Sequence, residues 1–198
     1  MRNLQRSPFS KSALFLGTSL LGILLGSAGM ASAQAMVSAQ RGAEIAPFYQ
    51  TTIVSPDWGP TNNFGYTFGV DYTRFVRLVL QPSLEFRMTG ANGQTVGEHA
   101  YTAGFKLQTT VHGVHPYVTL LGGYGDITFT HPTGNYTSDN SMIYSLGAGA
   151  EFNVIRNLKL RVDFTHQQWN IDPQTLTPVT IGVGVAYSLP FFHGGAVQ

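Results

Sequence analysis

Residues 158–166 read LKLRVDFTH. Leu158, Leu160, Val162 and Phe164 alternate there with Lys159, Arg161, Asp163 and Thr165. Successive side chains of an extended chain point to opposite sides, so a strand here has one oily face and one densely charged face. The two faces require opposite surroundings, and which of them meets water decides the architecture.

The same period of two recurs along the chain. Over 64–73, Phe64, Tyr66, Phe68, Val70 and Tyr72 oppose Gly65, Thr67, Gly69 and Asp71. Over 78–88, Leu78, Leu80, Leu84, Phe86 and Met88 oppose Gln81, Ser83, Glu85 and Arg87. Over 99–109, Tyr101, Ala103, Phe105 and Leu107 oppose Thr102, Gly104, Lys106 and Gln108. The alternation returns at 142–152, 158–167 and 179–189, and it predicts strands throughout. Segments 44–54 and 116–129 fill the gaps less cleanly, because Leu120-Leu121 and Gly122-Gly123 leave the faces of the second unassigned. Pro47 and Pro82 each remove a ladder donor inside a proposed strand, and a bulge is expected at each.

Eight strands result. Their connections alternate between brief (73–77, 110–115, 153–157) and longer, turn-rich stretches: SPDWGPTNN, TGANGQTVG, THPTGNYTSDN and NIDPQTLTP. An even count of antiparallel strands, with short turns at one end and longer loops at the other, is the layout of a transmembrane barrel.

The polar faces choose between barrel and soluble sandwich. Over 179–189 they read Thr180, Gly182, Gly184, Ala186 and Ser188, and over 142–152 they include Ser145, Gly147, Gly149 and Glu151. Water imposes no need for residues so small, and each glycine in a strand costs roughly 0.5–1 kcal/mol. A narrow lumen does impose it, since small residues on some strands make room for long side chains from others. The lumen then receives Asp71, Glu85, Glu151 and Asp163 against Arg87, Lys106, Lys159 and Arg161, four of each sign. Glu151 faces Arg161 or Lys159 across a short turn, where cross-strand pairing is expected. Turning Lys159 and Arg161 to lipid instead would cost roughly 2–4 kcal/mol each near the midplane, a large part of a net stability of roughly 5–15 kcal/mol. LKLRVDFTH therefore turns its leucines to hydrocarbon. Aromatics at strand ends are expected in interfacial girdles: Phe64, Tyr66, Phe129 and Trp169 toward the loops, Tyr72, Phe75, Phe152 and Tyr187 toward the turns.

The first residues agree with export. Arg2, Arg6 and Lys11 precede an apolar run that ends at Ala31-Ser32-Ala33, with Ala33-Gln34-Ala35 as a second small-residue site. This is the three-part layout of a cleavable signal peptide. The expected division is signal peptide 1–33, linker 34–42, barrel 43–190 and tail 191–198. Without the signal, 8 basic residues stand against 10 acidic ones, so nucleic acid is not an expected partner. Charged residues make up only 11% of the chain. The absence of Cys removes thiol catalysis, disulfides and lipid attachment through Cys.

The last predicted strand reads TIGVGVAYSL, and with the export signal and the alternating strands this resembles the small eight-stranded outer-membrane β-barrels, the OmpA-like and opacity-type porin family. The resemblance covers about residues 43–190. It implies an all-β, eight-stranded antiparallel up-and-down transmembrane barrel in the bacterial outer membrane. Thr180, Gly182, Val185 and Tyr187 look like the family's insertion signal, read by the outer-membrane assembly machinery. Family members usually stop at a terminal aromatic, whereas here PFFHGGAVQ continues. Expected partners are outer-membrane lipids and that machinery, with the chain a monomer and no extracellular ligand identified.

Candidate chemistry is sparse. The lipid A deacylases, also eight-stranded barrels, carry a His closely followed by Ser with an acid nearby. His166 is followed instead by Gln167 and Gln168, which supply no nucleophile, and an interior or rim position is expected for it. His112 and His115 lack a third metal ligand in their turn. GGYGD at 122–126 precedes no helix that would hold a phosphate, and Asn135-Tyr136-Thr137 is a bare glycosylation triplet. No catalytic residue, metal or cofactor is expected. The expected role is non-enzymatic, in envelope integrity or surface interaction; the alternatives are a small passive pore and, less favoured, a lipid A-modifying enzyme.

Overall fold

The computed structural model describes residues 42–55, 61–76, 79–94, 96–129, 138–171 and 174–189. The expected signal peptide, nearly all of the linker, the tail, Leu78 and much of two long connections lie outside these residues.

Eight long antiparallel strands and one short one form a single sheet. They are β1 (Ala43–Ser55), β2 (Asn63–Arg74), β3 (Gln81–Asn92), β4 (Val96–Gln108), β5 (Val114–Phe129), β6 (Ser138–Ile155), β7 (Leu158–Ile171), β8 (Gln174–Leu176) and β9 (Val179–Tyr187). Each long strand pairs with its sequence neighbour, β7 pairs with both β6 and β9, and β9 pairs with β1. The sheet thus closes on itself, which leaves no open edge around the cylinder and satisfies its backbone without water. The three-residue β8 pairs only with the end of β7.

Burial alternates along every long strand in the inverted sense. Leu84, Phe86, Phe105, Leu120, Leu146, Phe164 and Val183 are outward and exposed, whereas Gln50, Thr67, Glu85, Lys106, Arg161 and Thr180 are buried inside. The cylinder is therefore oily outside and polar within. Strand β5 resolves the ambiguity of its doubled residues: Tyr117, Thr119, Leu121 and Ile127 are buried inside, while Leu120 and Tyr124 face out.

Three expectations require correction. Neither proline carries a bulge: Pro47 and Pro82 pair in continuous register with Val70 and Leu107. Each sits one residue before another ladder begins, at Phe48 for β1–β9 and at Ser83 for β2–β3, where a missing donor is least felt. The one register shift in the β6–β7 ladder falls between Asn153 and Ile155. Second, the connection expected over TGANGQTVG shrinks to residues 93–95, closed by a 2.9 Å bond from Gly93 N–H to the Val96 carbonyl. Strands β5 and β6 likewise reach 16 and 18 residues, longer than the roughly 9–11 that a bilayer requires. Third, Trp169 and His166 have exchanged sides. Trp169 is fully buried within the barrel and Phe129 packs against the same buried cluster, instead of either lying in a lipid-facing girdle, and His166 is exposed on the outer face. The alternation simply continues two residues past the point at which it was expected to stop.

The brief turns have tight geometry. His112 and Gly113 both have positive φ, 50° and 82°, between bridged Val111 and Val114, the two-residue turn whose twist suits a hairpin. His112 is exposed at its tip, and His115 shares a 2.9 Å hydrogen bond with the Thr110 hydroxyl.

Candidate functional site

The eight ionisable residues expected in the lumen come from five strands: Asp71 on β2, Glu85 and Arg87 on β3, Lys106 on β4, Glu151 on β6, and Lys159, Arg161 and Asp163 on β7. All of them are buried, and the cylinder brings them together in one network.

Arg161 is its hub. Nη1 donates to Asp71 Oδ2 at 2.7 Å and to Glu151 Oε1 at 3.3 Å, Nη2 to Glu85 Oε2 at 2.7 Å, and Nε to Asp163 Oδ2 at 3.4 Å. Lys106 Nζ bridges Asp71 Oδ2 at 2.6 Å and Glu151 Oε1 at 2.5 Å. Arg87 pairs with Glu85 and reaches Asp163, its Nη1 donating to Oδ1 at 3.4 Å. Asp163 also accepts from Gln50 Nε2 at 3.0 Å and from the Tyr117 hydroxyl at 3.1 Å. Such bonds between ionised groups, several to each carboxylate, are what make buried charges tolerable.

Sequence reading missed Gln50 and three further members. Glu44 accepts from Lys159 Nζ at 2.6 Å, so five carboxylates, not four, meet four bases in this network. Phe48 and Tyr117 flank the hub: the Arg161 guanidinium lies 3.8 Å from the Phe48 ring centroid and 4.8 Å from that of Tyr117. Lys106 Nζ lies 4.4 Å from the same Tyr117 ring. The faces of aromatic rings attract cations, and more strongly where water is excluded. Two glycines admit these rings. A Cβ on Gly69 would come within 2.2 Å of Phe48 Cζ, and one on Gly149 within 2.5 Å of Tyr117 Cζ. The small residues on the polar faces thus make the slots in which the arginine's platform sits.

Toward the loops the lumen changes character. A ladder of hydroxyls, Thr52 to Thr67 and Thr67 to Thr89, both 2.9 Å, crosses β1, β2 and β3. Beyond it Val96, Ala100, Ile127, Ile143 and Trp169 form a buried apolar cluster, against which Phe129, Ile171 and Leu176 pack. Trp169 Nε1 donates to Gln167 Oε1 at 2.9 Å, so its one polar atom is satisfied. Beside the cluster, Asn63 Nδ2 donates to buried Glu98 at 3.0 Å. An ionic layer, a hydroxyl layer and an apolar layer therefore follow one another along the lumen.

The four residues of the TIGVGVAYSL pattern lie on β9, which closes the cylinder between β7 and β1. Thr180 and Gly182 face the lumen; Val185 and Tyr187 are exposed outside.

The family model for the outer membrane protein beta-barrel domain matches residues 21–188. Among solved structures, the Neisserial surface protein A is similar at 12% identity and a TM-score of 0.52, covering 75% of this chain and 97% of that one. The attachment invasion locus protein Ail of Yersinia pestis is 20% identical, with a TM-score of 0.47 and coverage of 74% and 97%. The N-terminal β-barrel domain of Pseudomonas aeruginosa OprF is 12% identical, with a TM-score of 0.45 and coverage of 73% and 97%. No match was found among curated protein sequences. The Neisserial likeness bears on the fold alone, and it is the fold that the strand register describes independently. The chain belongs to the outer membrane protein beta-barrel domain family, and its place is the bacterial outer membrane.

Proposed function

We propose that the chain is a non-enzymatic, monomeric barrel with a closed lumen, which stiffens the envelope and presents its loop end for surface interaction. The observation that carries this reading is the filled cross-section. Arg161 is fully buried between two aromatic rings and bound to four carboxylates, and an apolar cluster follows toward the loops. A passive pore needs a continuous path for water and ions; packed pairs and an apolar layer oppose one, since a hydrophobic constriction excludes water from a channel.

The interior charges act in this reading as struts between strands distant in sequence. Thr180, Gly182, Val185 and Tyr187 serve as the signal by which the assembly machinery recognises the closing strand.

Planar-bilayer recording tests the closed lumen. With insertion verified by protease protection, the bilayer stays electrically silent at moderate voltage. Discrete conductance steps would overturn the proposal and favour the pore.

A further inference from the structure

Away from the ionic network, the charges of the described residues are segregated. Asp126 points outward near the loops and Asp139 lies at the loop rim, whereas Arg74, at the end of β2, and Arg156, in the β6–β7 turn, are exposed at the opposite end. The acids of the turn end, Glu44 and Glu151, are buried in ion pairs inside. Neither Arg74 nor Arg156 has an ion pair among the described residues.

The β6–β7 turn adds a second feature. The register shift between Asn153 and Ile155 breaks the alternation, and residues 152–156 are all exposed in succession. Val154 and Ile155 are 60% and 65% exposed, and they extend the oily belt beyond Phe152 to the tip of the hairpin, where Arg156 stands. A turn destined for water gains nothing from two bare aliphatic side chains beside each other. The tip is nonetheless well held, since Ser188 N–H donates to the Asn157 carbonyl at 2.8 Å.

We propose that this tip is a site for the headgroup of an anionic phospholipid in the turn-side leaflet, with Arg74 as a second point of attraction across the barrel. Val154 and Ile155 lie against the upper acyl chains, and the Arg156 guanidinium takes the phosphodiester through its forked donors. A free phosphate would use only the cation and leave both aliphatics in water. A lipid satisfies the oily and the charged parts together, as amphipathic side chains at an interface do.

The test uses the mature protein folded into nanodiscs of phosphatidylcholine with one fifth phosphatidylglycerol, released into mild detergent for native mass spectrometry of retained lipid. Phosphatidylglycerol is expected to be enriched over its share of the bilayer. Arg156→Gln is expected to lower that enrichment about five-fold, the effect of one arginine at an anionic surface, and Arg74→Gln by less. Val154→Ser with Ile155→Ser should reduce retention of both lipids while leaving their ratio unchanged. Asp126→Asn, at the far end, should change nothing. Heat-modifiable migration verifies that each variant is folded, and the arginines lie outside the lumen network. Equal retention of the two lipids by the unaltered protein, or an unchanged ratio in Arg156→Gln, would overturn the proposal. So would equal affinity for glycerophosphate and for the intact lipid, which would identify a soluble phosphate as the occupant.

Discussion

Replacing Arg161 by alanine removes the hub of the lumen. Its guanidinium holds Asp71, Glu85, Glu151 and Asp163 at 2.7–3.4 Å and lies against the rings of Phe48 and Tyr117. With it gone, five carboxylates face three bases, and Glu85 and Asp163 keep only Arg87 as a cationic partner. Removing one member of a buried pair costs about 3–5 kcal/mol, because the remaining charge stays desolvated. A hub with four acids belongs at the upper end of that range. For a slope of about 2 kcal/mol per molar urea, a loss of about 5 kcal/mol lowers the unfolding midpoint by about 2.5 M. Equilibrium urea unfolding in detergent micelles, followed by the heat-modifiable band, reads this shift. The double variant Arg161→Ala with Glu85→Gln should recover part of the loss, since the two sites share an interaction and their effects do not add. Little dependence on salt is expected between 0.1 and 1 M, as buried pairs are weakly screened. A midpoint shift below about 0.5 M, corresponding to less than about 1 kcal/mol by the same slope, would refute the strut argument; strict additivity in the double variant would refute the coupling.

Two further outcomes follow from the packing. In a Trp58→Phe background, Trp169 fluorescence should be blue-shifted and insensitive to lipids brominated on their acyl chains, because the indole is buried within the barrel; strong quenching would place it in a lipid-facing girdle instead. Gly149→Val should displace the Tyr117 ring, whose Cζ lies 2.5 Å from the new Cβ position, and destabilise the barrel by about 1–3 kcal/mol, as overpacking does. Gly122→Ala, on the outer face with only the Ile143 carbonyl near, at 4.0 Å, serves as its neutral control in the same urea titration.

Much of this was legible because a strand has a period of two and a membrane barrel has only two environments to offer. In LKLRVDFTH the alternation alone separates lumen from lipid, since Lys159 and Arg161 outside would each cost several kcal/mol. The same rule already assigns His166 to the outer face, and carried two residues beyond 167 it assigns Trp169 to the lumen. Trp169 was misplaced through an assumption about where the strand ends, and strand ends depend on pairing partners; His166 lay within the expected strand and was misplaced against its own alternation. Strand β5 was legible as a strand but not in its faces: Leu120-Leu121 and Gly122-Gly123 fit either parity, and only pairing of Leu120 with Phe105 and Leu146 determines them.

The sequence by itself therefore determined the architecture, the sign of its hydrophobicity and the identity of eight lumen charges, because all three follow from local alternation and the penalty for charge in hydrocarbon. Only the tertiary structure decided which charge meets which. Glu44 and Lys159 are 115 positions apart, and Phe48, Tyr117 and Arg161 converge from three strands through slots that Gly69 and Gly149 leave open. Such meetings are set by closure of the cylinder and its register around the circumference, and no short window of residues contains them.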